Sequence, residues 1–207
     1  MENKEITVHT DLYIAELPKT EIGTVECEER QAQIDKARSE RVKRERYFAW
    51  RLLEHAVWHS KGKPLREIEL SLSPSGKWES PHLFLSITHS KDLVAVAISN
   101  APVGIDLEPI GSPRPERFAE RVLSEEEMAE YHSSEECDRL ALIYRKWTEK
   151  ESLFKKMGGT AFIPKEIDTT AGGVISYELQ MNDDIYFLSV ATDNLEDIGF
   201  YPNIELT

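Results

Sequence analysis

The spacing of apolar residues along the first half of the chain predicts strands, a helical region and then strands again. Apolar residues alternate through residues 5–17, which predicts one or two strands. The pattern turns helical from Glu28 to His59. A strand follows at Glu67–Leu72, and a later alternating strand ends near His89 and returns through the apolar run Leu93–Ile98 as a hairpin.

The second half repeats this order in outline. Its predicted elements are a strand at 103–108, a loop through Pro109, Gly111, Pro113 and Pro115, a short helix opened by the capping box Ser124–Glu127, a long helix from near Asp138 to Gly158, and paired strands at Gly173–Leu179 and Ile185–Ala191 around Asn182. The 207 residues, 40 % of them apolar, suffice for one domain or for two lobes of about 100 residues. Composition does not choose between these two arrangements.

Charge and cysteine content narrow the class of protein. A formal net charge of -13 argues against nonspecific binding to nucleic acid or to an anionic membrane. The cysteines Cys27 and Cys137 lie far apart, and we expect them to be buried free thiols in a reducing compartment. The first residues lack a signal-peptide pattern and no apolar run approaches about 18 residues, so we expect a soluble cytoplasmic protein.

Three carboxylates and a lysine have spacings that suit a cation and a phosphate. Asp106 and Glu108 are two residues apart in a predicted strand and therefore project from one side of it. Glu151 and Lys155 are four apart in the predicted long helix and share a face. Together they would form an oxygen-rich site for a hard cation, with an ammonium beside it for phosphate oxygens. Taken singly, each pair also fits a solvated helix face or the polar side of an edge strand.

Basic residues are concentrated in one part of this acidic chain. The cluster comprises Lys36, Arg38, Arg41, Lys43, Arg44, Arg46 and Arg51. Arginine suits bidentate phosphate binding, although each residue alone also fits a solvated helix face. Lys77 follows Gly76 in a predicted turn, which could serve a nucleotide or be an ordinary surface turn. His89, at a strand end, is by itself more typical of a structural residue.

Two segments together resemble the signatures of the 4'-phosphopantetheinyl transferase superfamily. Gly104–Glu108 (GIDLE) is similar to the family's G-(I/V)-D-x-E, and Trp147–Lys155 (WTEKESLFK) to its W-(S/T/C)-x-K-E-(S/A)-x-x-K. Ser86–Ser90 also resembles the family's S-x-(S/T)-H-(S/T), whose histidine contacts a coenzyme A phosphate. The family's G-K-P segment is matched only in part, because Trp78 stands in place of the proline.

The resemblance implies an α+β fold of two similar lobes that form a pseudodimer, with an N-terminal lobe at 1–101 and a C-terminal lobe carrying the metal site at 102–207. It implies coenzyme A between the lobes and Mg²⁺ held by Asp106, Glu108 and Glu151. Glu151 and Lys155 would be catalytic, with Glu151 a metal ligand before it is a base. The residues expected to bind coenzyme A are Arg44, Arg46, Lys77, His89, Lys150 and Lys155.

The implied reaction is transfer of the 4'-phosphopantetheine arm of coenzyme A to a serine of an apo acyl or peptidyl carrier protein, which releases adenosine 3',5'-bisphosphate. The enzyme type would be a holo-acyl-carrier-protein synthase, acting as a monomer without nucleic acid or membrane partners. Three other readings stay open: another Mg²⁺-dependent phosphoryl or nucleotidyl transferase, a polyanion-binding module, and a family member that binds coenzyme A without transfer.

Overall fold

A computed structural model describes residues 8–111, 116–181 and 183–206. Its strands are β1 (Thr10–Glu16), β2 (Ser71–Leu72), β3 (Trp78–Glu79), β4 (Phe84–Ser90), β5 (Leu93–Ser99), β6 (Gly104–Pro109), β7 (Val174–Met181), β8 (Asp184–Ala191) and β9 (Ile198–Tyr201). Its α-helices are α1 (Glu28–Asp35), α2 (Glu40–Lys61), α3 (Glu116–Val122), α4 (Glu125–Ser133) and α5 (Glu136–Met157). The fold is therefore mixed α+β, as the sequence predicted.

The first sheet has the strand order β4-β5-β1-β9 and packs one face on α2. Helix α2 begins where the Ser39 side chain accepts a hydrogen bond from the Val42 backbone N–H, and it ends at Gly62 in the left-handed conformation. Its apolar face, which includes Phe48, Leu52 and Leu53, is fully buried. Burial of this face, rather than helix propensity alone, fixes α2 on the sheet.

The second sheet has the order β6-β8-β7, and α5 packs near its outer face. The capping box at Ser124 and Glu127 and the left-handed Gly158 at the end of α5 are both as predicted. The inner faces of the two sheets pack on each other through residues such as Leu12, Ile14 and Leu188. The molecule thus consists of four layers: helix, sheet, sheet and helices.

Strands β4 and β6 join the two sheets side by side. The backbone N–H of Ile105 donates to the Ser86 hydroxyl at 3.1 Å, and the Thr88 hydroxyl donates to Asp106 at 3.2 Å. Gly104 opens β6 where α5 crosses it, and a Cβ there would lie 2.0 Å from the carbonyl oxygen of Ser152. Only glycine allows this approach, and it brings the strand carboxylates next to the helix.

Several predicted elements differ from the structure. The predicted strand Glu67–Leu72 is a 3₁₀ turn at Leu65–Glu67 followed by the two-residue β2, and the single helical region 28–59 is divided into α1 and α2. Strand β9 escaped prediction because four residues with one glycine give too short a pattern. The predicted positions Ile6, Pro113, Pro115 and Asn182 lie outside the described residues.

The ends of the chain and the cysteines add three details. Strand β9 pairs parallel with β1, so residues beyond 197 contribute to the first sheet, and the division at residue 101 stays a prediction. Both cysteines are free as expected, but the expectation of burial was wrong, because Cys27 is partly exposed and Cys137 is exposed. Each helix among the described residues is too short or too polar to span a membrane.

Candidate functional site

The two strand carboxylates project from β6 toward the first sheet's edge strand. Asp106 is buried, and its Oδ1 accepts the hydrogen bond from Thr88. Glu108, one strand repeat further, accepts a hydrogen bond from the Ser90 hydroxyl at 3.0 Å. The alternation of β6 therefore places both carboxylates along β4, as the spacing predicted.

Helix α5 supplies the opposite wall of this site. The Lys155 ammonium lies 2.6 Å from Asp106 Oδ1 and 3.6 Å from Glu151 Oε2. The i, i+4 spacing predicted that Glu151 and Lys155 share a face, and the close crossing at Gly104 brings that face against β6. One ammonium thus lies between a strand carboxylate and a helix carboxylate.

Burial and the clustering of charge shift the pKa values of both Glu151 and Lys155. Burial raises the pKa of Glu151 to about 7, and the neighbouring carboxylates of Asp106 and Glu108 add to this, while Lys155 opposes it. Burial by itself would lower the pKa of Lys155, but the charges of Asp106 and Glu151 outweigh it and raise the pKa above its ordinary value. Lys155 is therefore a fixed cation at neutral pH, whereas Glu151 can exchange a proton there.

A cavity of about 470 Å³ opens beside these residues, between the first sheet and α5. Its lining residues are Arg30, Ser75, Gly76, Lys77, Trp78, Leu85, Ser86, Ile87, His89, Glu151, Phe154, Lys155, Gly158, Gly159 and Phe162. Of the residues predicted to bind coenzyme A, the cavity brings together Lys77, His89 and Lys155. Lys77 donates to the carbonyl oxygen of Lys155 at 2.8 Å, so the turn at Gly76 and the end of α5 are in contact.

Arg30 lines the cavity and was missed by the sequence analysis. It lies on the otherwise acidic helix α1, outside the basic cluster that drew attention. Its guanidinium is buried, donates to the carbonyl oxygen of Arg46 and to Gln33 Oε1, and stacks over the Trp50 ring. Burial lowers the pKa of Arg30 to about 10, and the charge of Arg46 adds to this, so it remains a cation at neutral pH. The feature of the sequence that could have indicated Arg30 is that it is a single basic residue in an otherwise acidic helix.

Three predicted ligands of coenzyme A lie elsewhere. Arg44 lines a separate cavity of about 530 Å³ with Lys19, Arg41 and Lys91. Arg46 donates to the carbonyl oxygen of Gln33 and does not line the cavity described above.

Lys150 is fully buried on the side of α5 away from that cavity. Its ammonium lies 2.7 Å from Glu127 Oε2 and donates to the carbonyl oxygens of Pro164 and Ile167. These contacts give Lys150 a structural role, which differs from the ligand role the motif implied. The spacing between Lys150 and Glu151 explains the difference, because consecutive helical residues point about 100° apart.

The donor set around Asp106 suits a hard divalent cation. Asp106 Oδ2 is buried and has no hydrogen-bond partner among the described residues, although buried carboxylate oxygens are nearly always paired. Within those residues, the carboxylate oxygens of Asp106, Glu108 and Glu151 do not all lie within 4.8 Å of one another. The positive charge that balances Asp106 in this structure is the ammonium of Lys155. The group that does meet this distance is Glu135, Cys137 and Asp138, which are exposed at the start of α5.

Comparisons with known proteins cover the part of the chain that holds Asp106, Glu108, Glu151 and Lys155. The sequence model of the 4'-phosphopantetheinyl transferase superfamily matches residues 102–194 of this chain. The 4'-phosphopantetheinyl transferase AcpT of Escherichia coli O157:H7 is 34 % identical over 133 residues, which are 62 % of this chain and 65 % of the relative. AcpT of Salmonella typhimurium is 34 % identical over 113 residues, 53 % of this chain and 58 % of the relative.

A third relative is the 4'-phosphopantetheinyl transferase gsp of Aneurinibacillus migulanus, 37 % identical over 82 residues, which are 40 % of this chain and 34 % of the relative. The chain thus spans between about a third and about two thirds of the length of these three relatives. Both signature segments, with Asp106, Glu108, Glu151 and Lys155, lie inside the matched residues. The resemblance seen in the two motifs is therefore confirmed: residues 102–194 match the model of the 4'-phosphopantetheinyl transferase superfamily, and the relatives named above are 4'-phosphopantetheinyl transferases.

Proposed function

We propose that this protein transfers the 4'-phosphopantetheine arm of coenzyme A to a serine hydroxyl of an apo acyl or peptidyl carrier protein. The observation that carries the proposal is the juxtaposition of Asp106, Glu151 and Lys155 at a cavity lined by further cations. The superfamily match and the names of the relatives support the same transfer. Both products follow from it: a holo carrier protein and adenosine 3',5'-bisphosphate.

The cations of the cavity would bind the phosphates of coenzyme A. The cations Arg30 and Lys77 line one side together with the imidazole of His89, and the cation Lys155 lines the other. In an acidic protein this local excess of positive charge is what an anionic ligand requires. Arg30 takes the place that the sequence assigned to Arg44 and Arg46, because its guanidinium, and not theirs, borders the cavity.

Asp106, Glu108 and Glu151 would hold Mg²⁺, for which the unpartnered Asp106 Oδ2 is the supporting observation. When bound, such a cation neutralises phosphate charge and favours attack on the pyrophosphate. In the structure, Lys155 already bridges Asp106 and Glu151, and its fixed charge suits a place beside the reacting phosphate. Lys155 therefore provides a positive charge between Asp106 and Glu151 whether or not Mg²⁺ is bound.

Glu151 would have a second role in removing the proton of the attacking serine hydroxyl. Its pKa of about 7 matches the working range of a general base, since half of the groups are ionised there. The attack forms a bond from the serine oxygen to the pantetheine-bearing phosphorus and breaks the pyrophosphate bond. The ligand role of Glu151 ranks first, because a bound cation lowers the proton affinity of its carboxylate.

The wider arrangement we propose is a pseudodimer of two similar α+β lobes that acts as a monomeric, cytoplasmic holo-acyl-carrier-protein synthase. Two features support the duplication. Each sheet places a single strand beside the second strand of a hairpin, in the orders β1-β5-β4 and β6-β8-β7. Helices α2 and α5 both have 22 residues and both end at a left-handed glycine.

Mass spectrometry of an apo acyl carrier protein tests the reaction directly. The carrier is incubated with the full chain, coenzyme A and Mg²⁺, and a gain equal to one phosphopantetheine group is expected. Asp106→Ala and a chelator should each abolish the gain. Absence of any gain on several apo carrier proteins, with folded protein that still binds coenzyme A, would overturn the transfer. A nucleoside triphosphate consumed in its place would favour another phosphoryl or nucleotidyl transferase.

A further inference from the structure

A buried carboxylate on α2 lies behind His89, outside the site described so far. Glu45 is 5 % exposed, and its Oε2 lies 3.5 Å from His89 Nδ1. The other oxygen, Oε1, accepts from Arg41 Nε at 2.7 Å. Arg41 thus holds the Glu45 carboxylate in place, and that carboxylate faces one particular nitrogen of the imidazole.

The position of Glu45 decides which nitrogen of His89 is available to a ligand. The two ring nitrogens lie on different sides of the imidazole, so Nδ1 directed at Glu45 leaves Nε2 for the cavity that His89 lines. A carboxylate accepts hydrogen bonds and does not donate them at neutral pH. Neutral His89 therefore keeps its proton on Nδ1, and Nε2 carries a lone pair.

A lone pair on Nε2 cannot bind a phosphate oxygen, because both are acceptors. Donation through Nε2 requires a second proton, which makes His89 an imidazolium. The charges that face His89 are Glu45 and Arg46 on α2, Arg30 on α1 and Lys155 on α5. Burial lowers the pKa of His89 and these three cations lower it further, while Glu45 alone acts in the opposite direction. Before an anion binds, the ring is thus neutral at pH 7 and above.

We propose that Glu45 is a positioning residue for His89, which orients the imidazole through Nδ1 so that an anion in the cavity binds together with one proton taken up on Nε2. The inference rests on the proposed function only in naming coenzyme A as that anion. The phosphate supplies the negative charge that balances the added proton, and Glu45 balances the other side of the ring. Coenzyme A binding should therefore weaken as the pH rises.

Isothermal titration calorimetry in two buffers of different ionisation enthalpy measures the proton uptake. At about pH 8 we expect about one proton per coenzyme A bound to the unmodified chain. Glu45→Gln should reduce the uptake and weaken coenzyme A binding about tenfold, the size of one charge-assisted hydrogen bond. Glu54→Gln is the matched control on the same helix, since Glu54 pairs with Arg51 away from the cavity, and it should change neither quantity.

Two further measurements keep the proposal falsifiable if Glu45→Gln folds poorly. His89→Asn retains a side-chain donor but cannot titrate, so it should abolish the proton uptake. In the ligand-free chain, NMR of the imidazole nitrogens should show the Nδ1–H form of His89. Coenzyme A binding without proton uptake, or a ligand-free ring protonated on Nε2, would overturn the role of Glu45 and leave the transfer reaction standing. Failure of coenzyme A to bind at all would overturn both.

Discussion

In the proposed pseudodimer the two halves correspond to each other, but the carboxylates Asp106, Glu108 and Glu151 all lie in the second half. His55 and His59 occupy the places in α2 that Glu151 and Lys155 occupy in α5, counted from the first residue of each helix. His59 Nδ1 contacts the hydroxyl of Tyr13 on β1 at 2.9 Å, as Lys155 contacts Asp106 on β6. The same position thus holds an aromatic and polar cluster in one half and a charged cluster in the other.

What differs is the element that lies beside the single strand of each half. Strand β1 is flanked by β9, and Tyr201 of β9 stacks on Tyr13 with ring centroids 4.8 Å apart. Strand β6 is flanked by β4, and residues of β4 line the cavity together with residues of α5. The first position is covered by the chain itself and the second borders a ligand-sized space. If the fold is repeated as proposed, the two places are equivalent, and the neighbouring strand decides which of them can hold a ligand.

The largest expected effect concerns Lys150, whose counterpart in α2 is the partly exposed Glu54. Lys150→Met removes the nearer of the two cations that pair with buried Glu127, leaving Lys146 at 3.9 Å, and should lower the free energy of unfolding by about 3 kcal/mol. Glu54→Met should cost less than about 1 kcal/mol, because its pair is accessible to solvent. Urea denaturation of both variants measures the difference. Equal costs would show that the two positions are equivalent after all.

Removal of the charge at Asp106 should affect transfer more than folding. Asp106→Asn keeps the shape of the side chain but weakens the contact with Lys155 and the cation site. We expect the transfer rate to fall about 100- to 1000-fold, the usual result of removing one electrostatic group from an active site. The rate is measured with an apo carrier protein and coenzyme A in excess. A fall below tenfold would remove Asp106 from the reaction.

The raised pKa of Glu151 predicts a pH-dependent contribution to stability that is opposite in sign to that of His55, whose pKa is lowered by burial and by His59. Between its ordinary value of 4.5 and about 7, Glu151 is protonated in the folded chain and ionised in the unfolded chain. The folded state binds more protons in this window, so the contribution to stability is lost as the pH rises toward about 7. Thermal unfolding in chelator across this range should show the slope, and Glu151→Gln should remove it. An unchanged slope in that variant would assign it to other groups.

The smallest effect is expected at Tyr13, which β9 covers. Tyr13→Phe removes a hydroxyl that contacts Ser60 at 2.7 Å as well as His59. The loss of this hydrogen bonding should lower the free energy of unfolding by about 1 kcal/mol and leave the transfer rate unchanged. Chemical denaturation and the carrier-protein assay together check this. A reduced rate would mean that the cluster around Tyr13 also contributes to the reaction.

Much of the site could be predicted because its residues depend on local spacing. Two residues apart in a strand, or four apart in a helix, fixes a shared face whatever the rest of the fold does. Asp106, Glu108, Glu151 and Lys155 were identified in this way, and the glycine at 104 belongs to the same motif. The basic cluster directed the prediction of phosphate ligands to Arg44 and Arg46, whereas the arginine that lines the cavity is Arg30, which is alone on its helix.

The sequence by itself determined the mixed α+β class, the two signature segments and the faces on which their charged side chains lie. The tertiary structure decided which faces meet. The surroundings of Arg30, Lys150 and Glu45, and the covering of Tyr13 by β9, depend on contacts between residues far apart in the chain. Such contacts are set by the packing of whole elements, which the spacing within a single element does not specify.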